Sequence, residues 1–198
     1  MSCATTEPSG CGRRDKNDFA SLQLIVNDYV QHYRKQAAEE LNFYRSIESL
    51  SEVIRVAANA VTADGKRHDH QRRIPGGALA RFARALLAVK ERIQNAQSFS
   101  MLHNVINNAA SELKHIGRLT VYDTAIRIGI KLGLSPDHVY LHAGTRRGAR
   151  FFNVETKEEH LPKSSFPAEL DKLEPCEIED LLCIYKDELQ RLRKLGRL

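Results

Sequence analysis

The chain has 198 residues, of which 42% are hydrophobic and 28% charged, a composition typical of a soluble globular protein of one domain or two small helical lobes. Its formal net charge of +5 favours polyanionic partners, but charge alone does not separate a nucleic-acid-binding protein from an ordinary enzyme. No stretch approaches the ~20 apolar residues of a membrane span, and residues 1–18 lack the apolar core of a signal peptide. We therefore expect a cytoplasmic protein without membrane contact.

The cysteines do not form a metal-binding pattern. No two of them make a Cys-x-x-Cys pair, so neither a zinc site nor an iron–sulfur cluster is predicted. Cys176 and Cys183, if helical, lie seven residues apart at ~1.5 Å per residue, too far for a disulfide. We expect reduced thiols and no cofactor.

The apolar pattern predicts an all-α fold of about eight helices joined by short loops. Residues 1–16 are small and polar and are predicted to be disordered, whereas residues 17–198 are predicted to form a single domain of one or two lobes. Apolar residues at helical spacing predict helices over residues 17–44 and 47–61, the second ending at a turn at Asp64 and Gly65.

Similar patterns continue through the second half of the chain. An apolar stripe runs from Leu79 to Ile93, and Ser98 is predicted to cap the next helix, whose apolar face reaches Leu113. A further helix is predicted over residues 120–132, with Gly133 ending it. The remaining predictions are a short helix opened by Ser135, Pro136 and Asp137 and carrying Val139, Tyr140 and Leu141, a short extended piece over residues 151–154, and a charged helix over residues 178–192.

The most informative segment is a predicted hairpin of two helices at residues 113–121, with a tight turn at Ile116 and Gly117. Such a turn exposes backbone N–H groups at the start of the second helix, where they can hold a DNA phosphate. We therefore predict that DNA is contacted by Lys114, His115, Ile116, Gly117, Arg118, Leu119 and Thr120.

This segment resembles the helix-hairpin-helix motif, whose core reads apolar-Pro-Gly-Ile-Gly-x-x-Thr-Ala. The matching residues are Leu113, Ile116, Gly117 and Thr120. The chain departs from the pattern at three positions, where Lys114 replaces proline, His115 replaces the first glycine and Val121 replaces alanine. The first glycine normally allows close backbone approach to phosphate, so His115 changes the expected geometry.

Over residues 113–146 the chain also resembles the helix-hairpin-helix DNA glycosylases of the endonuclease-three type. The spacing from the hairpin places Asp137 at the position of their essential aspartate and Leu119 at the position of the lysine of their lyase members. The resemblance implies a base flipped out of duplex DNA and a monofunctional enzyme, since leucine cannot form a Schiff base. It implies no iron–sulfur cluster, because the four-cysteine run is missing.

A carboxylate beside the anomeric carbon stabilises the positive charge that develops when a base leaves its sugar, and it can orient the attacking water. Asp137 is the catalytic residue predicted on this ground. The alternative is that Asp137 only caps a helix, because Ser-Pro-Asp is a common opening sequence and the helix dipole favours Asp there.

Two basic clusters are predicted to contact DNA phosphates. The first lies in the loop 65–73 and includes Lys66, Arg67 and Arg72, and the second includes Arg146 and Arg147. In the first loop, His68, His70 and Gln71 can also hydrogen-bond base edges. The alternatives are a solvated loop for the first cluster and pairing with nearby glutamates for the second.

A base pocket is predicted to include Tyr122, Tyr140 and His142, with core packing as the alternative for each. His138 and His142 have the spacing of a helical metal pair, but without a third ligand no metal site is predicted.

The sequence thus favours a DNA-binding protein of the glycosylase type that hydrolyses the N-glycosidic bond of a damaged or modified base. A role in DNA repair and a role in antiviral defence against modified foreign DNA both stay open. The alternatives are a non-catalytic DNA-binding protein that uses the hairpin as a phosphate anchor, and a helical interaction scaffold.

Overall fold

The computed structural model describes residues 18–198, so the predicted disordered segment 1–16 lies outside the described residues. The prediction of an all-α fold is confirmed, since the described part of the chain consists mainly of helices with one small sheet. Its ten α-helices are α1 (Leu22–His32), α2 (Arg34–Ser46), α3 (Leu50–Ala58), α4 (Gly76–Ala88), α5 (Lys90–Gln94), α6 (Phe99–Ala110), α7 (Arg118–Leu132), α8 (Ala143–Ala149), α9 (Pro175–Ile184) and α10 (Lys186–Lys194). None of these helices is long and apolar enough to cross a membrane.

The number of helices in the described residues exceeds the predicted eight because two long apolar patterns are interrupted. The pattern over residues 17–44 breaks at Tyr33, which separates α1 from α2, and the pattern over residues 178–192 breaks at Tyr185, between α9 and α10. Both tyrosines pack against each other edge to face, with ring centroids 5.9 Å apart. Each break therefore lies at an aromatic contact that joins the two ends of the described chain.

The first of two hydrophobic clusters is built from α2, α3, α4, α6 and α7. Its fully buried members include Tyr44, Ile54, Phe82, Leu102 and Ile128. The side chain of Ser98 accepts a hydrogen bond from the backbone N–H of Met101, which confirms the predicted cap of α6. Helix α7 packs against α2, α3 and α6 and so lies at the centre of this cluster.

The second cluster joins the ends of the described chain. Helix α1 contributes Ile25 and Tyr29, and α9 and α10 contribute Leu181 and Leu189, all without exposed surface. Helix α8 packs against α9 and α10. The division of the chain into one or two lobes stays a prediction.

The prediction of a short helix starting at Asp137 is wrong. Residues His138–Tyr140 form strand β1, which pairs antiparallel with strand β2 (His160–Pro162). Val139 faces the second cluster opposite Leu161, and this cross-strand pair favours a strand over a helix. The prediction of an extended piece at residues 151–154 is also wrong, because residues Arg150–Phe152 form a 3-10 turn that continues α8.

The predicted connection between α6 and α7 is present as a tight turn. The N–H of Ile116 bonds to the carbonyl of Leu113, and α7 begins directly after Gly117. His115 adopts a left-handed backbone conformation with φ of 72°, which favours glycine. Gly133 ends α7 in the same conformation, as predicted.

Candidate functional site

A cavity of about 1200 Å³ lies between the two hydrophobic clusters. Helix α7 lines one side with Leu119, Tyr122, Asp123, Ile126 and Arg127, which share one face because they repeat every three or four residues. Helix α9 lines the other side in the same way, with Cys176, Glu179, Asp180 and Cys183. Both lining faces carry carboxyl groups.

A histidine–aspartate pair lies on the α7 side of the cavity. The 3-10 turn Asp69–Gln71 brings His70 to Asp123, with 2.8 Å between Nε2 and Oδ2, and Gln71 Nε2 donates to the same oxygen at 3.1 Å. Because an ionised carboxylate only accepts, Nε2 of His70 carries the ring proton of this bond. The other ring nitrogen, Nδ1, is then available as a proton acceptor.

The Asp123 carboxyl is held in its ionised form. Burial by itself raises its pKa, but the hydrogen bond with His70, followed by the charge of Arg127, outweighs this effect, so the pKa of Asp123 is lowered. The side chain of Asp123 keeps 16% of its surface exposed, so the carboxylate remains open to a small ligand or water in the cavity.

Arg127 fixes the base of this cluster. It is 3% exposed, donates to Gln71 Oε1 at 2.9 Å and lies over the ring of Tyr44 at 5.7 Å. A buried guanidinium is stable only with such partners, since removing a charge from water without them is costly. Arg127 therefore orients Gln71, which in turn orients Asp123.

His68 lies under the cluster and is neutral. Burial, followed by the charge of Arg127, lowers the pKa of His68 to about 3. Tyr44 has one hydroxyl hydrogen and donates it to the carbonyl of Val61 at 2.8 Å, so the 2.8 Å contact with His68 is donated by the histidine Nε2. Nδ1 of His68 then faces Glu40 at 3.5 Å, and burial raises the pKa of that carboxyl.

On the α9 side of the cavity, the pKa of the Asp180 carboxyl is shifted in the opposite direction from that of Asp123. Burial and then the charge of neighbouring Glu179 raise the pKa of Asp180 well above its usual value, and Tyr29 donates a hydrogen bond to Oδ2 at 3.2 Å. Glu179 itself is 6% exposed and is bonded by His142 and by the Thr145 hydroxyl at 2.7 Å. Two carboxyl groups that line the cavity thus have pKa values shifted in opposite directions, with Asp123 shifted toward the ionised form and Asp180 toward the protonated form.

Asp137, the predicted catalytic residue, lies outside this cavity. Its side chain is 67% exposed and contacts its neighbour His138 at 3.0 Å. The hydrogen bond with His138 is the main reason that the pKa of Asp137 is lowered. Because Asp137 precedes a strand, it is not the predicted helix cap either. Its catalytic role stays a prediction.

The predicted hairpin contacts divide into exposed and packed residues. Lys114, His115, Gly117 and Arg118 are exposed at the start of α7. Ile116 packs against the first cluster, and Thr120 is 5% exposed. Leu119 lines the cavity, so the hairpin and the cavity are joined by the first turn of α7.

The predicted basic contacts are engaged with the protein itself. Lys66 contacts Asp64 at 2.8 Å, Arg67 donates to the carbonyl of Ile74 at 2.9 Å, and Arg72 lies 3.7 Å from Asp69. In the second cluster, Arg146 bonds the carbonyls of Leu141 and Thr156, and Arg147 contacts Asp187 at 2.8 Å. Arg146 is thus a structural residue that ties the segment after β1 to the loop before β2.

The predicted base pocket is divided. Tyr122 and His142 line the cavity, whereas Tyr140 is buried beside Phe99 and His103. The sequence analysis singled out His70 and Gln71 only as possible contacts to base edges, and it missed Asp123, Arg127 and Asp180. Asp123 and Arg127 gave a usable signal, since two charges four residues apart on the same face as Leu119 and Ile126 interrupt an otherwise apolar helix face.

Within residues 18–198, no group of three or more His, Cys, Asp or Glu side chains is placed to hold a metal ion. Comparisons with protein-family models, with curated proteins and with solved structures give no match to this chain.

Proposed function

We propose that this chain binds duplex DNA through the 113–121 hairpin and hydrolyses the N-glycosidic bond of a damaged or modified base held in the cavity. The observation that carries the proposal is the pair of carboxyl groups with opposite pKa shifts, Asp123 and Asp180, on facing helices of one cavity. Titratable groups whose surroundings push their pKa values apart are suited to act as base and acid at the same pH.

The arrangement along α7 supports a DNA substrate. The exposed residues around Gly117 offer backbone N–H groups for a phosphate, and Leu119, two residues later, lines the cavity. Asp123 follows Gly117 by six residues, about 9 Å along the helix. A nucleotide whose phosphate lies at the hairpin can therefore extend its sugar and base toward Asp123.

His70 is the proposed general base. Asp123 orients its ring through Nε2, leaving Nδ1 to take a proton from water as the water oxygen bonds to the anomeric carbon of the sugar. The negative charge of Asp123 also stabilises the positive charge that develops on the sugar as the bond to the base breaks. In this proposal Asp123 takes the electrostatic role that the sequence suggested for Asp137.

Asp180 is the proposed general acid. Its protonated carboxyl donates a proton to the departing base nitrogen, which receives the electron pair of the broken C–N bond. The products are a free base and an abasic site, and exchange with water returns Asp180 and His70 to their starting protonation states. Because position 119 holds leucine, no Schiff base forms there and the strand stays intact.

The test is incubation of the wild-type protein with duplexes that each carry one damaged or naturally modified base, followed by alkali, which breaks strands at abasic sites. We expect alkali-dependent breaks for at least one duplex and no breaks without alkali. Breaks that appear without alkali would contradict simple hydrolysis, and a panel left intact by a well-folded protein would overturn the proposed activity.

A non-catalytic DNA-binding protein is the second candidate. It is favoured by the start of α7, where Lys114 and Arg118 are exposed and no side chain caps the helix. Salt-sensitive binding of duplex DNA together with an intact panel would support this function instead.

A further inference from the structure

Tyr122 is held rigidly where α7 faces the cavity. Its ring lies 5.1 Å from the ring of Tyr140 and 6.1 Å from that of Phe99, both in the first hydrophobic cluster. Only 4% of its surface is exposed, yet it is one of the cavity-lining residues. The ring is therefore fixed by packing on one side, while the residue borders the cavity on the other.

The hydroxyl of Tyr122 is buried without a hydrogen-bond partner among the described residues. Buried hydroxyl groups almost always have a partner, since leaving one unpaired loses the hydrogen bonds it makes in water. Thr124 carries the other unpartnered buried side-chain oxygen, but it does not line the cavity. Tyr122 thus combines an unmet hydrogen bond with a position at a ligand-sized space.

The surroundings of Tyr122 define what it can offer. Burial, and then the charge of Glu179, raise the pKa of Tyr122 well above its usual value, so the phenol keeps its proton. Its titratable neighbours Glu179, Cys176 and Asp180 all line the same cavity. A protonated phenol can donate a hydrogen bond to a ligand held among these groups.

We propose that the Tyr122 hydroxyl donates a hydrogen bond to an acceptor atom of the bound nucleobase. Next to this acceptor, the nucleobase carries an N–H group that faces the carboxyl groups of α9. This inference rests on the proposed function, because it takes the occupant of the cavity to be a nucleobase. It makes Tyr122 a specificity-determining residue, a role distinct from ring stacking.

The test uses two free nucleosides that differ only at this edge. The base of 2′-deoxyinosine has a carbonyl next to an N–H, whereas purine 2′-deoxyriboside lacks both. Titration calorimetry with the full chain is expected to show tighter binding of 2′-deoxyinosine. In Tyr122→Phe that preference should shrink about threefold to tenfold, the effect of losing one hydrogen bond.

Tyr140→Phe is the matched control. Tyr140 is a buried neighbour of Tyr122 that does not line the cavity, and its hydroxyl is hydrogen-bonded with Ser100. We expect Tyr140→Phe to lower the melting temperature by about 2–4 °C and to keep the nucleoside preference. Tyr122→Phe should not lower the melting temperature, because its hydroxyl has no partner to lose.

Each remaining outcome overturns the inference. An unchanged preference in Tyr122→Phe excludes a contact with this edge, and a melting temperature that falls as in Tyr140→Phe shows that the hydroxyl serves the fold. Equal binding of the two nucleosides by the wild type, or no binding of either, excludes the proposed readout. These results are distinct from failure of the proposed activity, which shows as an absence of abasic sites.

Discussion

Two aspartate–histidine pairs among residues 18–198 have nearly equal distances but lie in very different places. Asp137 and His138 are neighbours in sequence and lie 3.0 Å apart on the surface, whereas Asp123 and His70 are 53 residues apart in sequence and meet at 2.8 Å in the cavity. The Asp137 side chain is 67% exposed and that of Asp123 is 16% exposed.

The difference shows that surroundings, not residue types, separate the two pairs. Water screens the surface pair, so its charge has little effect on a nearby reaction. The inner pair lies in a partly desolvated cavity, where a fixed carboxylate acts more strongly on a developing positive charge. The inner pair also faces a protonated carboxyl, Asp180, and the surface pair does not.

The first prediction that sharpens this comparison concerns loss of the acid that faces the inner pair. Asp180→Asn keeps the size and the neutral charge of the protonated acid but removes its transferable proton. We expect the single-turnover rate of base release to fall about 10²–10³-fold. The check is the rate of base release from a duplex that the wild type acts on, together with circular dichroism to confirm folding. An unchanged rate would remove Asp180 from the mechanism.

The next effect concerns stability against acid and depends on His68, which lies under the inner pair. The folded-state pKa of His68 is lowered to about 3, so the unfolded chain binds the proton first as the pH falls below 6.5. His68 therefore lowers the free energy of unfolding by about 1.4 kcal/mol per pH unit between pH 6.5 and 3.

Urea unfolding of wild type and His68→Gln across this range provides the measurement. Neighbouring groups such as Asp180 titrate in both proteins, so their contributions cancel in the difference between the two. The difference in free energy of unfolding between wild type and His68→Gln should therefore change by about 1.4 kcal/mol per pH unit. Parallel curves for His68→Gln would show that His68 is not kept neutral by the fold.

A smaller effect tests whether the hairpin and the inner pair act separately. Replacing Lys114 and Arg118 together by alanine should weaken duplex binding about tenfold and reduce the salt slope by about 2, since two phosphate contacts are lost. Fluorescence anisotropy at several salt concentrations measures both quantities. The double variant of Arg55 and Arg92, exposed on α3 and α5, serves as control and should leave the slope unchanged.

The smallest effect concerns the turn that precedes α7. His115 has φ of 72°, a conformation that costs a residue with a Cβ more than it costs glycine. His115→Gly should raise the free energy of unfolding by about 0.5–1 kcal/mol, after allowing for the larger backbone entropy of glycine in the unfolded chain. His115→Ala should give no such gain. A loss of stability in His115→Gly would show that the imidazole itself supports the turn.

Local signals in the sequence were enough to predict much of the fold. Ser98 and Gly133 mark the start of α6 and the end of α7 because capping depends on a few neighbouring residues. The segment after Asp137 was mispredicted because its strand depends on pairing with residues 160–162, which no local pattern around Asp137 reveals.

The candidate site was harder to predict for the same reason. Leu119, Tyr122 and His142 were singled out and line the cavity, but His70 meets Asp123 only after α7 packs beside the 3-10 turn. The pKa shifts of Asp123 and Asp180 depend on burial and on groups brought together by folding, so they cannot be predicted from the local sequence.

The most direct test of the account compares Asp123→Asn with Asp137→Asn in single-turnover release of whichever base the wild type excises. We predict that Asp123→Asn lowers the rate at least about 10³-fold with duplex binding retained, and that Asp137→Asn stays within about twofold of the wild type. The opposite result, a large loss in Asp137→Asn and little change in Asp123→Asn, would contradict the account and place the chemistry at the surface pair.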